Sequence, residues 1–348
     1  MEYKELGKTG IKIPPVIFGT SALGNLYIDL NENIKLDILR ECFKYLNRPI
    51  VFDCAGKYGA GLALEMLGTL LNKLNINEKE VIISNKLGWM RTPLNAPEPT
   101  FEPGVWKNIK FDSKQEISYN GILACWEQGI GLLGEKYLPQ LVSVHDPDEY
   151  IGNAKSDNER AELFKHILNA YTALLELKAQ GKIKAVGVGA KNWKIIEQIS
   201  EQIDLDWVMF ANSLTIMNHP PNLLNFISKL HNRGIGIINS AVFHAGFLTG
   251  GDYYDYKLIK PDTDENKAKF KWRKIFFETC EKYNVLPATA CVQFALTPPG
   301  IVSISLNTSK PEHVKKNIDS FVAKIPKEFW NEMVQKGLIS RDYPYLGI

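Results

Sequence analysis

Eight short runs rich in Val and Ile, each followed by a longer helical run, most limit what this 348-residue chain can fold into. The runs lie at 16–19, 50–53, 81–85, 141–145, 183–188, 207–210, 235–239 and 301–305. They are nearly continuous in apolar residues rather than alternating. Strands covered on both faces read this way, and such strands belong to parallel sheets. Helical patterns follow at 34–46, 62–74, 116–133, 161–180, 194–203, 222–232, 265–283 and 310–320, with Gly181 and Gly234 as stop signals. Eight strand–helix pairs are the count of an α/β (β/α)8 TIM barrel; a doubly wound open sheet is the alternative.

Residues beyond a minimal barrel fall in three places. Residues 3–13 carry a turn signal, Gly7 to Gly10, and read as a β-hairpin before strand one. Long loops at 88–112 and 241–263 follow strands three and seven. Both leave the C-terminal ends of strands, which is the catalytic face of a barrel. No repeat or low-complexity linker interrupts the chain, so one domain over 1–348 is expected.

Charge excludes some partners. Lys+Arg number 41 and Asp+Glu 39, with no block of like sign, so nothing argues for nucleic acid or an anionic membrane. No apolar stretch approaches the roughly 20 residues of a membrane span. The start MEYKELGKTG is charged where a leader needs an apolar run. Five cysteines, an odd number without a CxxC, fit a reduced, cytoplasmic compartment. The six histidines are scattered, so no metal is expected.

Polar residues close several of the apolar runs. Asp53 ends strand two, Lys86 follows strand three, His145 ends strand four, and Tyr58 lies just past Asp53. On a barrel these four converge on one mouth. A phenol has a pKa of about 10, and a nearby ammonium lowers it. A carboxylate holds that ammonium, and an imidazole orients a substrate oxygen. Together they suit proton transfer in a carbonyl/alcohol couple. Taken singly, each has a plainer reading: Asp53 as a helix cap, Lys86 reaching solvent, His145 and Tyr58 as packing residues.

These residues resemble the aldo-keto reductase superfamily. The likeness rests on Phe52-Asp53-Cys54-Ala55 with Tyr58-Gly59, Glu65 and Gly68; on Ser84-Asn85-Lys86-Leu87-Gly88; on Val142-Ser143-Val144-His145; on Leu6-Gly7-Lys8-Thr9-Gly10 and Phe18-Gly19-Thr20; and on the stretch 304–317. It implies a TIM barrel, a nicotinamide cofactor and a catalytic tetrad of Asp53, Tyr58, Lys86 and His145. A narrower likeness is to L-fucose or D-threo-aldose 1-dehydrogenases, through His145-Asp146-Pro147-Asp148-Glu149 and Gly187-Val188-Gly189-Ala190. Pyridoxal dehydrogenases share part of it. It implies oxidation of an L-fucose-like aldose at C1 to the lactone. An aldehyde or ketone reductase and a non-catalytic regulatory barrel are the alternatives.

The resemblance also implies contacts. Gly19, Thr20, Asp53, Asn192, Asn307, Thr308, Ser309, His313 and Asn317 are expected along the cofactor. Trp89 and Trp106, with Tyr58 and His145, are expected at a small sugar or aldehyde substrate. Gly189-Ala190 stands where many relatives carry a Ser-Asn pair for the nicotinamide carboxamide; Lys191 or Asn192 is the expected substitute. Asn307 and His313 stand where NADP-preferring relatives carry Lys and Arg, leaving Lys310 as the nearby cation. NAD is therefore expected ahead of NADP, because a neutral His cannot copy the planar fork of an Arg on phosphate. Oligomeric state is left open.

Overall fold

The computed structural model describes residues 2–347. Eight parallel strands close into a barrel in chain order: β1 (Val16–Gly19), β2 (Ile50–Ala55), β3 (Val81–Leu87), β4 (Leu141–His145), β5 (Ala185–Ala190), β6 (Trp207–Ala211), β7 (Gly236–Ser240) and β8 (Ile301–Leu306). Closure is made by β8 against β1, with Ile304 beside Val16. This is the (β/α)8 barrel that the alternation of strands and helices predicts.

The period of two along each strand decides what faces inward. Val51, Leu141, Ala185, Trp207, Met209 and Ile238 fill the lower interior with Ile17. Leu6, Ile11 and Ile13 of the N-terminal hairpin close this apolar floor. One step up the same faces, the residues turn polar: Asp53 after Val51, Ser84 and Lys86 after Ile82, Ser143 and His145 after Leu141. Their neighbours in sequence, Phe52, Ile83, Val142 and Val144, pack outward in the barrel–helix core. The barrel is thus apolar at its base and polar at its mouth.

Helix starts follow their caps. Asn31, Ser118, Ser156 and Thr263 each accept a bond from a backbone N–H in the first turn, satisfying a donor that the helix itself leaves open. Ser118 explains why the third helix begins at Tyr119 rather than at 116. The loop after β3 contains a hairpin, Trp89–Pro93 against Phe111–Gln115, where the Pro- and Asn-rich composition predicts only a loop. A helix at Pro287–Ala295 was not legible in the apolar spacing. It begins with Pro at its first position, and Tyr343 of the tail stacks on its Phe294 at 4.6 Å.

Candidate active site

The four expected catalytic side chains meet at the mouth. Register sets three of them: Asp53 lies beside Ser84, Ala55 beside Lys86, and Lys86 beside Ser143, two residues before His145. The Lys86 ammonium donates to both Asp53 oxygens, at 2.6 and 2.7 Å. Ser84 donates to Asp53 at 3.2 Å and Ser305 at 3.5 Å. Gly189 makes room for the lysine stem, since a Cβ there would stand 3.1 Å from Lys86 Cδ.

Tyr58 reaches this group from the turn after β2. Close backbone approach fixes that turn. A Cβ on Gly59 would lie 2.3 Å from the Gly24 carbonyl oxygen, so the turn interlocks with the segment after β1. Gly59 also sits at φ +61°, which glycine adopts without strain. The Lys86 ammonium lies 4.8 Å from the Tyr58 ring centre. The His145 ring meets Tyr58 edge-on at 5.7 Å.

Burial decides the protonation states. It pushes the Tyr58 hydroxyl well above its usual value, and the charge of Asp53 adds to the rise. The expected net lowering by Lys86 is not what results: the ammonium still favours the phenolate, but burial and the Asp53 charge outweigh it. Tyr58 is a phenol at neutral pH. Burial likewise holds His145 well below 6.5, with Lys86 and Lys57 reinforcing it against Asp146. The imidazole is therefore neutral, and its Nδ1 is buried without a partner.

The two long loops flank the mouth. The Trp106 ring lies 5.9 Å from Tyr58, with its Nε1 donating to Glu102 at 2.8 Å. Trp89 is placed differently: it packs against Phe101, beneath the Lys57 ammonium at 4.6 Å. From the second loop, Tyr253 stacks on Tyr27 at 4.3 Å and Tyr256 lies under Lys191 at 5.0 Å.

A buried charge cluster beside His145 was not anticipated. Lys57 pairs with Asp146 at 2.7 Å, Glu149 at 2.8 Å and Glu102 at 2.9 Å. Lys191 pairs with Glu149 at 2.5 Å. Burial alone would lower the Lys57 pKa, but the three carboxylates hold it above the usual lysine value. Asp148 is different. Burial and the Asp146 charge push it up to about 6, against one bond from the Asn192 amide. The sequence signal was the acidic stretch Asp146–Glu149, whose spacing in a Pro-containing loop fits a turn or helix cap better.

Four of the expected cofactor residues, Gly19, Thr20, Asn307 and Thr308, line one cavity beside β1. Gly19 ends β1, and Thr20 donates to the Asp53 carbonyl at 3.1 Å. Asn307 accepts from the Ala22 amide at 3.3 Å. Thr308 bonds the Lys310 backbone ahead of the helix Pro311–Val322. Ser309 precedes that helix, whose N-terminus has no side-chain cap. His313 is in its first turn, held neutral by burial with Lys316 and Lys310 nearby. Lys316 is thus a second cation beside the expected Lys310. Asn317 has a buried, unpartnered Nδ2. Asn192 caps the next helix through its Oδ1, and its backbone amide donates to Asp148 at 2.9 Å. Asn212, at the end of β6, is buried with both amide atoms unpartnered.

Comparison with known proteins gives one answer. Residues 15–337 match the aldo/keto reductase family. The chain is 28% identical to pyridoxal 4-dehydrogenase of Microbacterium luteolum, over 97% of its length and 98% of the relative's. It is 23% identical to D-threo-aldose 1-dehydrogenase of a Pseudomonas species, over 95% and 96%. Its fold is similar to aldo-keto reductase AKR11C1 from Bacillus halodurans in its holo form, with a TM-score of 0.70, 18% identity and coverage of 98% and 97%. With its closed barrel and a family match across nearly its whole length, the chain belongs to the aldo/keto reductase family of oxidoreductases.

Proposed function

We propose that this chain oxidises an aldose of the L-fucose type at C1 to the lactone, using Asp53, Tyr58, Lys86 and His145 with a nicotinamide dinucleotide. The observation that carries the reading is the convergence of those four side chains at the polar end of an otherwise apolar barrel, beside the Trp106 ring. Such a ring can take the apolar face of a sugar. The D-threo-aldose 1-dehydrogenase likeness supports the same substrate class. A second reading, a pyridoxal-type dehydrogenase, is favoured by the 28% identity to pyridoxal 4-dehydrogenase.

The residues present fit a nicotinamide dinucleotide. The Asn212 amide is unpartnered and buried, which suits an amide-bearing ring. The uncapped N-terminus of the helix Pro311–Val322 offers backbone donors of the kind that bind phosphate. Gly19, Thr20, Asn307, Thr308, Ser309, His313 and Asn317 would hold the remainder. Neutral His313 and Asn307 favour NAD over NADP, with Lys310 and Lys316 working against that preference.

When bound, the cofactor supplies the two-electron acceptor that takes hydride from C1. The protein handles the proton. Tyr58 as phenolate takes it from the C1 hydroxyl; as phenol it gives one back to a carbonyl in the reverse direction. Lys86 favours the phenolate, and Asp53 fixes Lys86. Neutral His145 orients the substrate oxygen without competing for the proton. A panel of aldoses, pyridoxal and simple aldehydes, assayed with both cofactors in both directions, tests the reading. Cofactor reduction by an aldose supports it. Rapid reduction of aldehydes with no aldose oxidised overturns it.

A further inference from the structure

Lys57 and Asp146 stand next to two of the four residues in sequence, Lys57 before Tyr58 and Asp146 after His145. Their side chains meet at 2.7 Å, with Lys57 2% and Asp146 4% exposed. The ion pair therefore closes a ring: Tyr58, its neighbour, the salt bridge, the other neighbour, His145, and back across the edge-on ring contact at 5.7 Å. We infer that the buried Lys57–Asp146 pair is a positioning clamp, which sets the turn carrying Tyr58 against the strand end carrying His145. The inference rests on the roles proposed above for Tyr58 and His145.

Local geometry supports a dedicated device. Asp146 adopts a left-handed backbone, φ +50°, which few residues accept and Asp tolerates. That turn also places its carboxylate 3.6 Å from His145 Nε2, and its amide donates to the Gly189 carbonyl at 2.9 Å, tying β4 to β5. Glu149, in the helix turn that follows Asp146, and Glu102, from the loop after β3, bind the same ammonium. Glu102 belongs to the loop that carries Trp106, so the clamp also sets the ring facing Tyr58.

Stability alone is a weak reason for such a cluster. Desolvating two charges offsets most of their attraction, and apolar residues of similar volume hold two segments as well. An ion pair adds direction: it fixes where one loop sits against another. Charge bookkeeping also argues against a ligand site here, because each cation already has carboxylate partners.

The test uses Lys57→Met, Asp146→Asn, the double variant and Tyr58→Phe, each assayed with the panel substrate that the parent turns over fastest. Loss of the clamp lets Tyr58 drift from His145, and a displacement of about 1 Å costs on the order of 100-fold in turnover. The clamp predicts a kcat loss of that order in each single variant, with cofactor affinity unchanged. The primary deuterium isotope effect on kcat should rise as hydride transfer becomes limiting. The double variant should be no worse than the poorer single one. A purely structural pair would lower the melting temperature and leave kcat and the isotope effect of the folded fraction at parental values. That result, or losses that multiply in the double variant, overturns the clamp. If Lys57→Met does not fold, Asp146→Asn carries the test, since it keeps the shape and leaves Lys57 with Glu102 and Glu149. If Tyr58→Phe retains full turnover, the proposed function fails and the clamp with it. If only Tyr58→Phe is impaired, the clamp alone fails.

Discussion

Replacing Lys86 by Met separates what the Asp53–Lys86 pair does for the fold from what it does for the reaction. Lys86 is 2% exposed, and both Asp53 oxygens accept from it. Met fills most of the same volume but leaves the carboxylate with only the Ser84 and Ser305 hydroxyls, at 3.2 and 3.5 Å. Removing one partner of a buried pair costs about 3–5 kcal/mol, because the remaining charge is stranded. The double variant Asp53→Asn with Lys86→Met strands no charge, so it should regain most of that loss. Activity should not return with it, since the phenol has then lost the cation that favours its phenolate; general acid–base catalysis is worth about 10²–10⁴-fold. Urea denaturation of the two variants and the parent measures the first effect, and turnover on one substrate measures the second. A double variant no more stable than Lys86→Met would refute the pairing argument. A double variant with parental turnover would refute the proton relay.

Three further outcomes are expected. Oxidation should accelerate as pH rises, because burial raises the Tyr58 pKa and the phenolate fraction grows with pH, while carbonyl reduction stays level near neutrality; pH–rate profiles in both directions check this. Asp148→Asn should stabilise the fold at pH 8 but not at pH 4, because a carboxyl raised from 3.8 to about 6 loses stability as pH climbs through that window. The gain is about 1–3 kcal/mol at roughly 1.4 per pKa unit, read by urea denaturation at the two pH values. Asn307→Lys with His313→Arg should move the kcat/KM ratio toward NADP by about tenfold or more, as charge-assisted bonds are worth about 1.5–3 kcal/mol each; a ratio that stays put would leave Lys310 and Lys316 as the determinants.

The barrel was legible because its strands are buried on both faces and its helices are amphipathic, two patterns set by local periodicity. Asp53, Lys86 and His145 were legible because each breaks an apolar run at the end where the mouth must be. Tyr58 was legible only through its nearness to Asp53, since an aromatic in a loop has no periodicity to break, and the family likeness reinforced it. The hairpin after β3 was hidden by composition: its strands contain Pro, Arg and Lys, and only long-range pairing makes them β. Lys57 was invisible for a related reason. A lysine in a turn normally reaches solvent, and only the fold brings Asp146, Glu149 and Glu102 around it. The cap formed by Asn192 Oδ1 and the bond from its backbone amide to Asp148 were likewise hidden, because only the fold brings Asp148 beside it.

The central claim is that Tyr58 moves the proton while the rest of the mouth holds it in place. Single-turnover hydride transfer by Tyr58→Phe, followed at the nicotinamide absorbance with cofactor and substrate saturating, tests it most directly. The account predicts unchanged cofactor affinity, an unchanged melting temperature and a hydride-transfer rate lower by about 10²–10⁴-fold, flat across pH. A Phe variant that transfers hydride near the parental rate, with the parental pH profile, would contradict it.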